Sequence, residues 1–170
     1  MDESGMFAAV GKLGAKRDMS VQSVRDFLSA TAPDIAVIEL AVRTATVAEA
    51  AAGHGVAPAQ IAKTLSLRVG ERAFLLVAGG EARLDNAKAK AAFGGKTSLL
   101  GAEEATALTG HPIGGVCPFG LATPLPVYCD LSLKAFDEVV PAAGSPHAAL
   151  RIAPDRMAAL TGAVWVDVCK

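Results

Sequence analysis

Apolar residues recur along this chain in two rhythms, and the switches between them mark its elements. Val21, Val24, Phe27 and Leu28 are spaced for one face of a helix, with Ser20 ahead of them as N-cap, and Pro33-Asp34 stops it. Ile35 to Leu40 reads as a short strand. Thr46-Val47-Ala48-Glu49 is a capping box, in which the threonine hydroxyl and the glutamate carboxylate satisfy each other's orphan amides. The alanine-rich helix it starts should end at Gly53-His54-Gly55, and Pro58 then turns the chain. From Ile61 the period drops to two. Ile61, Lys63, Leu65, Leu67 and Val69 alternate with Ala62, Thr64, Ser66 and Arg68, which predicts a half-buried strand. Gly70-Glu71 leads into a second apolar run, Ala73 to Ala78, and the pair predicts a hairpin.

Beyond the hairpin, Asp85 caps a predicted helix carrying Lys88 and Lys90 that closes at Gly94-Gly95. Glu103 to Leu108 is helical, Leu125 to Cys129 a strand with an acidic end at Asp130, and 136–141 and 148–152 short strands. Pro154 opens a last helix before a strand at Val164 to Val168. Residues 1–19, broken by Gly5, Gly11 and Gly14, read as a loosely held leader, and 20–170 as a single domain. Locally paired strands with helices in separate blocks imply an α+β fold: a mixed, mostly antiparallel sheet, distorted and barrel-like, with surrounding helices.

Two features fall outside this rhythm. Thr109 to Gly120 holds four glycines and two prolines and no formally charged side chain. It can be neither a regular helix nor a central strand. It is either a tight connection or a shaped loop whose amides face a ligand. The other is Lys63, in phase with the apolar face of its strand. A lysine there either snorkels to water at the strand end or aims its cation into a pocket.

Composition narrows the classes. The chain has 170 residues, a formal charge of -1, 52% hydrophobic and 19% charged residues, so no global field attracts a polyanion and any such partner needs a local patch. Cys117, Cys129 and Cys169 make an odd count without a CxxC, against a disulfide framework or structural zinc. His54, His111 and His147 lack metal-like spacing, and no metal or cofactor is expected. The uncharged run from Ala105 to Cys129 is interrupted by four prolines and four glycines, which excludes a membrane helix. With no signal-peptide core at the start, a cytoplasmic protein is expected.

Ile61-Ala62-Lys63-Thr64-Leu65, followed some fifty residues on by Thr109-Gly110 through Gly114-Gly115-Val116-Cys117-Pro118-Phe119-Gly120, resembles the YbaK/EbsC-type aminoacyl-tRNA deacylases, relatives of the editing insertion of bacterial prolyl-tRNA synthetases. Leu125-Pro126-Val127-Tyr128-Cys129-Asp130 extends the likeness, which runs from about residue 35 to the end. The resemblance implies hydrolysis, in trans, of the ester joining a wrong, small amino acid (Ala, Ser, Thr or Cys) to the tRNA 3′ CCA end. It implies Lys63 as the functional cation and Gly114 to Pro118 (with Gly115, Val116 and Cys117) presenting backbone groups to the ester. Asp130 would line the site. Water attacks, without a serine or cysteine nucleophile of the protein's own.

Other positions stay open. Residues from Leu40 to Thr46, and Gly144-Ser145-Pro146-His147, are candidates for the substrate pocket, which puts Thr46 and Ser145, together with His111 of the loop itself, on the binding side. Asp130 is equally an N-cap for Leu131 to Phe136. Lys88, Lys90 and Lys96 either form a tRNA-binding patch or an ordinary solvated face. Two rival readings remain: an idle module that binds a tRNA end or an aminoacyl-tRNA synthetase, and a thiol hydrolase using Cys117 with His111 as base. Oligomeric state is not legible.

Overall fold

The structure is a computed structural model and describes residues 20–170; the leader expected over residues 1–19 lies outside them. In chain order the elements are α1 (20–31), β1 (Ile38–Glu39), α2 (Val47–His54), β2 (Ile61–Val69), β3 (Arg72–Gly79), α3 (Asn86–Phe93), β4 (Ser98–Leu99) and α4 (Ala102–Thr109). They continue with β5 (Val127–Asp130), β6 (Val140–Pro141), β7 (Ala148–Ala149), α5 (Pro154–Thr161) and β8 (Val164–Val166). The fold is mixed α+β.

The β2–β3 hairpin forms as its period of two requires, antiparallel from Ala62 opposite Gly79 to Val69 opposite Arg72. The main sheet runs β4-β2-β3-β5-β8, with β6 also pairing β2. Alternation sends the hairpin's side chains to two separate cores. Ala62, Leu75 and Val77 pack with Val24 and Leu28 of α1, Phe119, Leu150 and Met157 of α5. Leu67, Phe74 and Leu76 face the other way, onto Ala89 and Phe93 of α3 and onto Val168. There the rings of Phe74, Phe93 and Tyr128 meet with centroids 4.6 to 5.4 Å apart, a spacing at which edge and tilted contacts are favourable. A third cluster, Ala50, Ala51, Ile61, Val140 and Ala149, seats α2 at the start of β2.

The helix ends follow their local chemistry. Thr46 and Glu49 form the full capping box, Gly55 closes α2 in the left-handed region at φ 67°, and Asp85 caps α3 through the amides of Ala87 and Lys88. Ser20 is itself helical and uses its hydroxyl elsewhere. Several strands are shorter than periodicity suggested. Ile35 to Leu40 keeps two strand residues, 136–141 keeps Val140–Pro141, and the last strand stops at Val166. Pairing is also less local than expected. β2–β6, β3–β5 and β5–β8 are parallel, and parallel partners arrive by crossovers that a period of two does not encode.

Candidate active site

One edge of β2 is incomplete. Beyond its ladder with β3, β2 pairs with β6 only at Ile61 and Ala62 and with β4 only at Leu67 and Arg68. A cavity of about 280 Å³ opens against the gap, lined by Ile61 through Ser66 together with Thr44–Ala45–Thr46–Val47, Leu99, Ile113, Gly114 and Val116. Ala142, Ala148 and Ala149 close its far side. Lys63 and the glycine-proline loop, distant in sequence, therefore border one space.

The loop reaches the cavity because two adjacent glycines do different things. Gly114 has φ +88°, a left-handed conformation, and a Cβ there would lie 2.8 Å from that of Ala45. Gly115 is buried against the 144–145 segment, where a Cβ would come within 2.5 Å of Ser145 Cα, and its carbonyl accepts from the Gly144 N–H at 3.0 Å. The loop's anchor is His111. Its Nε2 lies 2.7 Å from the Phe119 carbonyl and its Nδ1 2.8 Å from Ser20 Oγ. A carbonyl only accepts, so Nε2 carries the proton and Nδ1 accepts from the serine hydroxyl. Burial lowers the pKa of the ring, against a smaller opposing effect of the Phe119 bond.

Lys63 borders the cavity, but its ammonium is engaged: it donates to the Gly80 carbonyl at 3.3 Å and to that of Ala82. Burial lowers its pKa, with the Cys169 thiol opposing and Arg83 assisting. Gly80 in turn packs against Val47, a lining residue, whose Cγ1 would be 2.8 Å from a Cβ at position 80. The cation thus stands beside the rim.

Of the other candidates, Thr46, Gly114 and Val116 line the cavity, while Gly115, Pro118, His111, Cys117, Asp130 and Ser145 do not. Cys117 is enclosed and burial pushes its thiol up to about 12. Asp130 accepts from the Val168 and Ser132 amides, capping the 3-10 turn Leu131–Ala135. Burial pulls its pKa up, but these bonds together with the Ser132 and Cys169 side chains outweigh it and the net shift is downward. Ser145 Oγ accepts from the His147 amide. Lys88 is paired with Asp167 and the Cys169 carbonyl, Lys90 and Lys96 are exposed, and none of the three lines the cavity. Sequence reasoning overlooked Thr64, Leu99, Ile113, Ala142 and Ala149. Thr64 stood in the strand pattern beside Lys63 and Ile113 inside the glycine-proline loop, whereas Leu99, Ala142 and Ala149 carried no signal.

Among the described residues no cluster of three or more His, Cys, Asp or Glu could hold a metal, and no helix is long and apolar enough to cross a membrane.

Residues 41–160 match the model of the aminoacyl-tRNA editing domain. The chain is 44% identical to the Bacillus subtilis (strain 168) protein YwhH over 154 residues, covering 89% of this chain and 98% of that one. It superposes on a crystal structure provisionally named a trans-editing enzyme for prolyl tRNA synthetase with TM-score 0.83 and 38% identity, over 89% of this chain and 97% of the other. The hypothetical protein APE2540 gives TM-score 0.81 and 32% identity, over 87% and 99%. With that match and the cavity between the lysine strand and the glycine-proline loop, the chain belongs to the aminoacyl-tRNA editing domain family.

Proposed function

We propose that this protein hydrolyses, in trans, the ester that joins a small amino acid (Ala, Ser, Thr or Cys) to the 3′ end of a wrongly charged tRNA. The observation that carries this reading is the shared cavity of Lys63 and Gly114. Attack by water on the ester builds charge on the acyl oxygen, and fixed donors aimed at that oxygen are usually the largest catalytic contribution. The backbone of the glycine-proline loop is held at fixed positions by His111 and by the close approach of Gly115 to residue 145, so the amides of Gly114 and Val116, which line the cavity, need no reorganisation, while that of Gly115 donates to the Pro112 carbonyl. Lys63 holds two neutral carbonyls in the free protein. On substrate binding its ammonium exchanges them for an anionic oxygen of the terminal nucleotide, a stronger charge-assisted bond. The small side chains of Ala50, Ala142, Ala148 and Ala149 line the cavity and leave room for a short acyl group. Association with an aminoacyl-tRNA synthetase belongs to the same proposal, as the means of delivering the tRNA.

The thiol-hydrolase alternative draws no support from an enclosed Cys117 whose thiol is pushed to about 12. A discharge panel tests the reading: tRNAs charged with Ala, Ser, Thr and Cys, with the wild-type protein and the Lys63→Ala variant. The expected result is discharge of at least one substrate, with kcat/KM reduced about 10–100-fold in the variant, the loss expected when a charge-assisted bond of about 1.5–3 kcal/mol is removed. A fully active variant removes Lys63 from the mechanism. A wild-type protein that binds the tRNA end but discharges nothing leaves the idle binding module instead.

A further inference from the structure

The gap in β2 has a definite chemical shape. The Ser66 carbonyl accepts from the Leu100 amide, so Ser66 turns its backbone groups toward the β4 side. Outward-pointing groups recur at every second residue of a strand, which directs the Thr64 N–H and C=O to the same edge. No strand residue is paired with Thr64 there, because β6 stops at Ala62 and β4 begins at Leu67. Thr64 lines the cavity, and its hydroxyl is also buried without a partner. The edge therefore offers one donor and one acceptor, spaced as they are in a single residue, between two stretches where the ladder is already complete. A whole strand does not fit between β6 and β4; a single residue does.

We infer that the aminoacyl unit of the substrate fills this gap as the missing strand residue opposite Thr64. In a hydrogen-bonded antiparallel pair, two residues exchange both of their N–H···O=C bonds. An aminoacyl ester carries the same two groups across one Cα. Its α-ammonium donates to the Thr64 carbonyl, and its acyl oxygen accepts from the Thr64 N–H. The second bond meets the oxygen on which charge develops, so Thr64 acts through its main chain on both recognition and reaction. This rests on the proposed deacylation, and it adds a requirement which that reading lacks: a free, cationic α-amine.

The experiment compares wild-type discharge of alanyl-tRNA, N-acetyl-alanyl-tRNA and lactyl-tRNA, each corrected for its uncatalysed hydrolysis. Lactyl keeps the size of alanyl but replaces the ammonium by a neutral hydroxyl. At least a ten-fold lower kcat/KM is expected for both altered esters. Equal rates for all three overturn the inference and leave the deacylase reading standing, whereas no discharge of any small aminoacyl-tRNA overturns both. Thr64→Pro removes the outward N–H together with the side-chain hydroxyl, and Thr64→Val removes the hydroxyl alone; a folded proline variant should lose at least ten-fold in kcat/KM toward alanyl-tRNA relative to the valine variant. Equal activity in the two variants overturns the acyl-oxygen contact. Should the proline variant not fold, the three substrates decide alone.

Discussion

At the scale of single residues, His111 sets a pH limit on stability. Its ring is enclosed and both nitrogens are bonded in the neutral form, so protonation would put a charge in the core and break the bond from Ser20. Its folded pKa lies below the ordinary value of about 6.5. The unfolded chain then binds a proton that the native state refuses, so the contribution is present above that value and lost as pH falls below it. His54, lowered by burial and by Arg151, acts with the same sign. Urea denaturation at pH 7.5 and 5.5 should show lower stability at the acidic pH. His111→Gln should be less stable at pH 7.5 and show a smaller drop between the two values. A drop of the same size in the variant would sink the assignment.

Residue-scale chemistry was partly legible. Lys63 declared itself by standing in an apolar phase, and Asp130 was recognisable as a possible cap. That the Lys63 ammonium would hold the Gly80 and Ala82 carbonyls was not legible, because those partners come from beyond the hairpin turn and no spacing rule brings them together.

At the scale of elements, α2 joins stability to the site. Its first residues line the cavity, and its N-terminus is held by Thr46 Oγ1 accepting from the Glu49 N–H at 3.1 Å, with the Glu49 carboxylate accepting from the Thr46 N–H at 3.1 Å. Replacing an N-cap threonine by alanine costs about 1 kcal/mol. Thr46→Ala should lower the free energy of unfolding by about that much, read from the urea midpoint, and Thr46→Ser should recover most of it. Because Thr46 also forms the rim, the alanine variant should raise KM for discharge more than it lowers kcat. Helices and hairpin were readable here because caps and periods act over a few neighbouring residues. The lengths of β1, β6 and β7 were not, since each persists only where a distant partner meets it.

At the scale of the whole molecule, a net charge of -1 leaves RNA binding to local cations. Lys88 is occupied by Asp167, whereas Lys96 lies two residues before β4, whose Leu99 borders the cavity. Lys96 and then Lys90 are accordingly the stronger candidates of the three. Neutralising both as Lys90→Gln, Lys96→Gln should reduce the slope of log K for tRNA against log salt by about 0.7 for each lysine that meets a single-stranded phosphate. An unchanged slope would return them to the solvated face.

Local order in this protein, its caps, its turns, the β2–β3 hairpin and the anomaly of Lys63, was written into neighbouring residues, because hydrogen bonding and side-chain alternation act over short stretches of chain. Which strands lie parallel, that β6 and β4 leave Thr64 bare between them, and that Gly115 meets the 144–145 segment were decided only by the folded arrangement. Those contacts join residues tens of positions apart, where the competition among cores, not the local pattern, selects the neighbour.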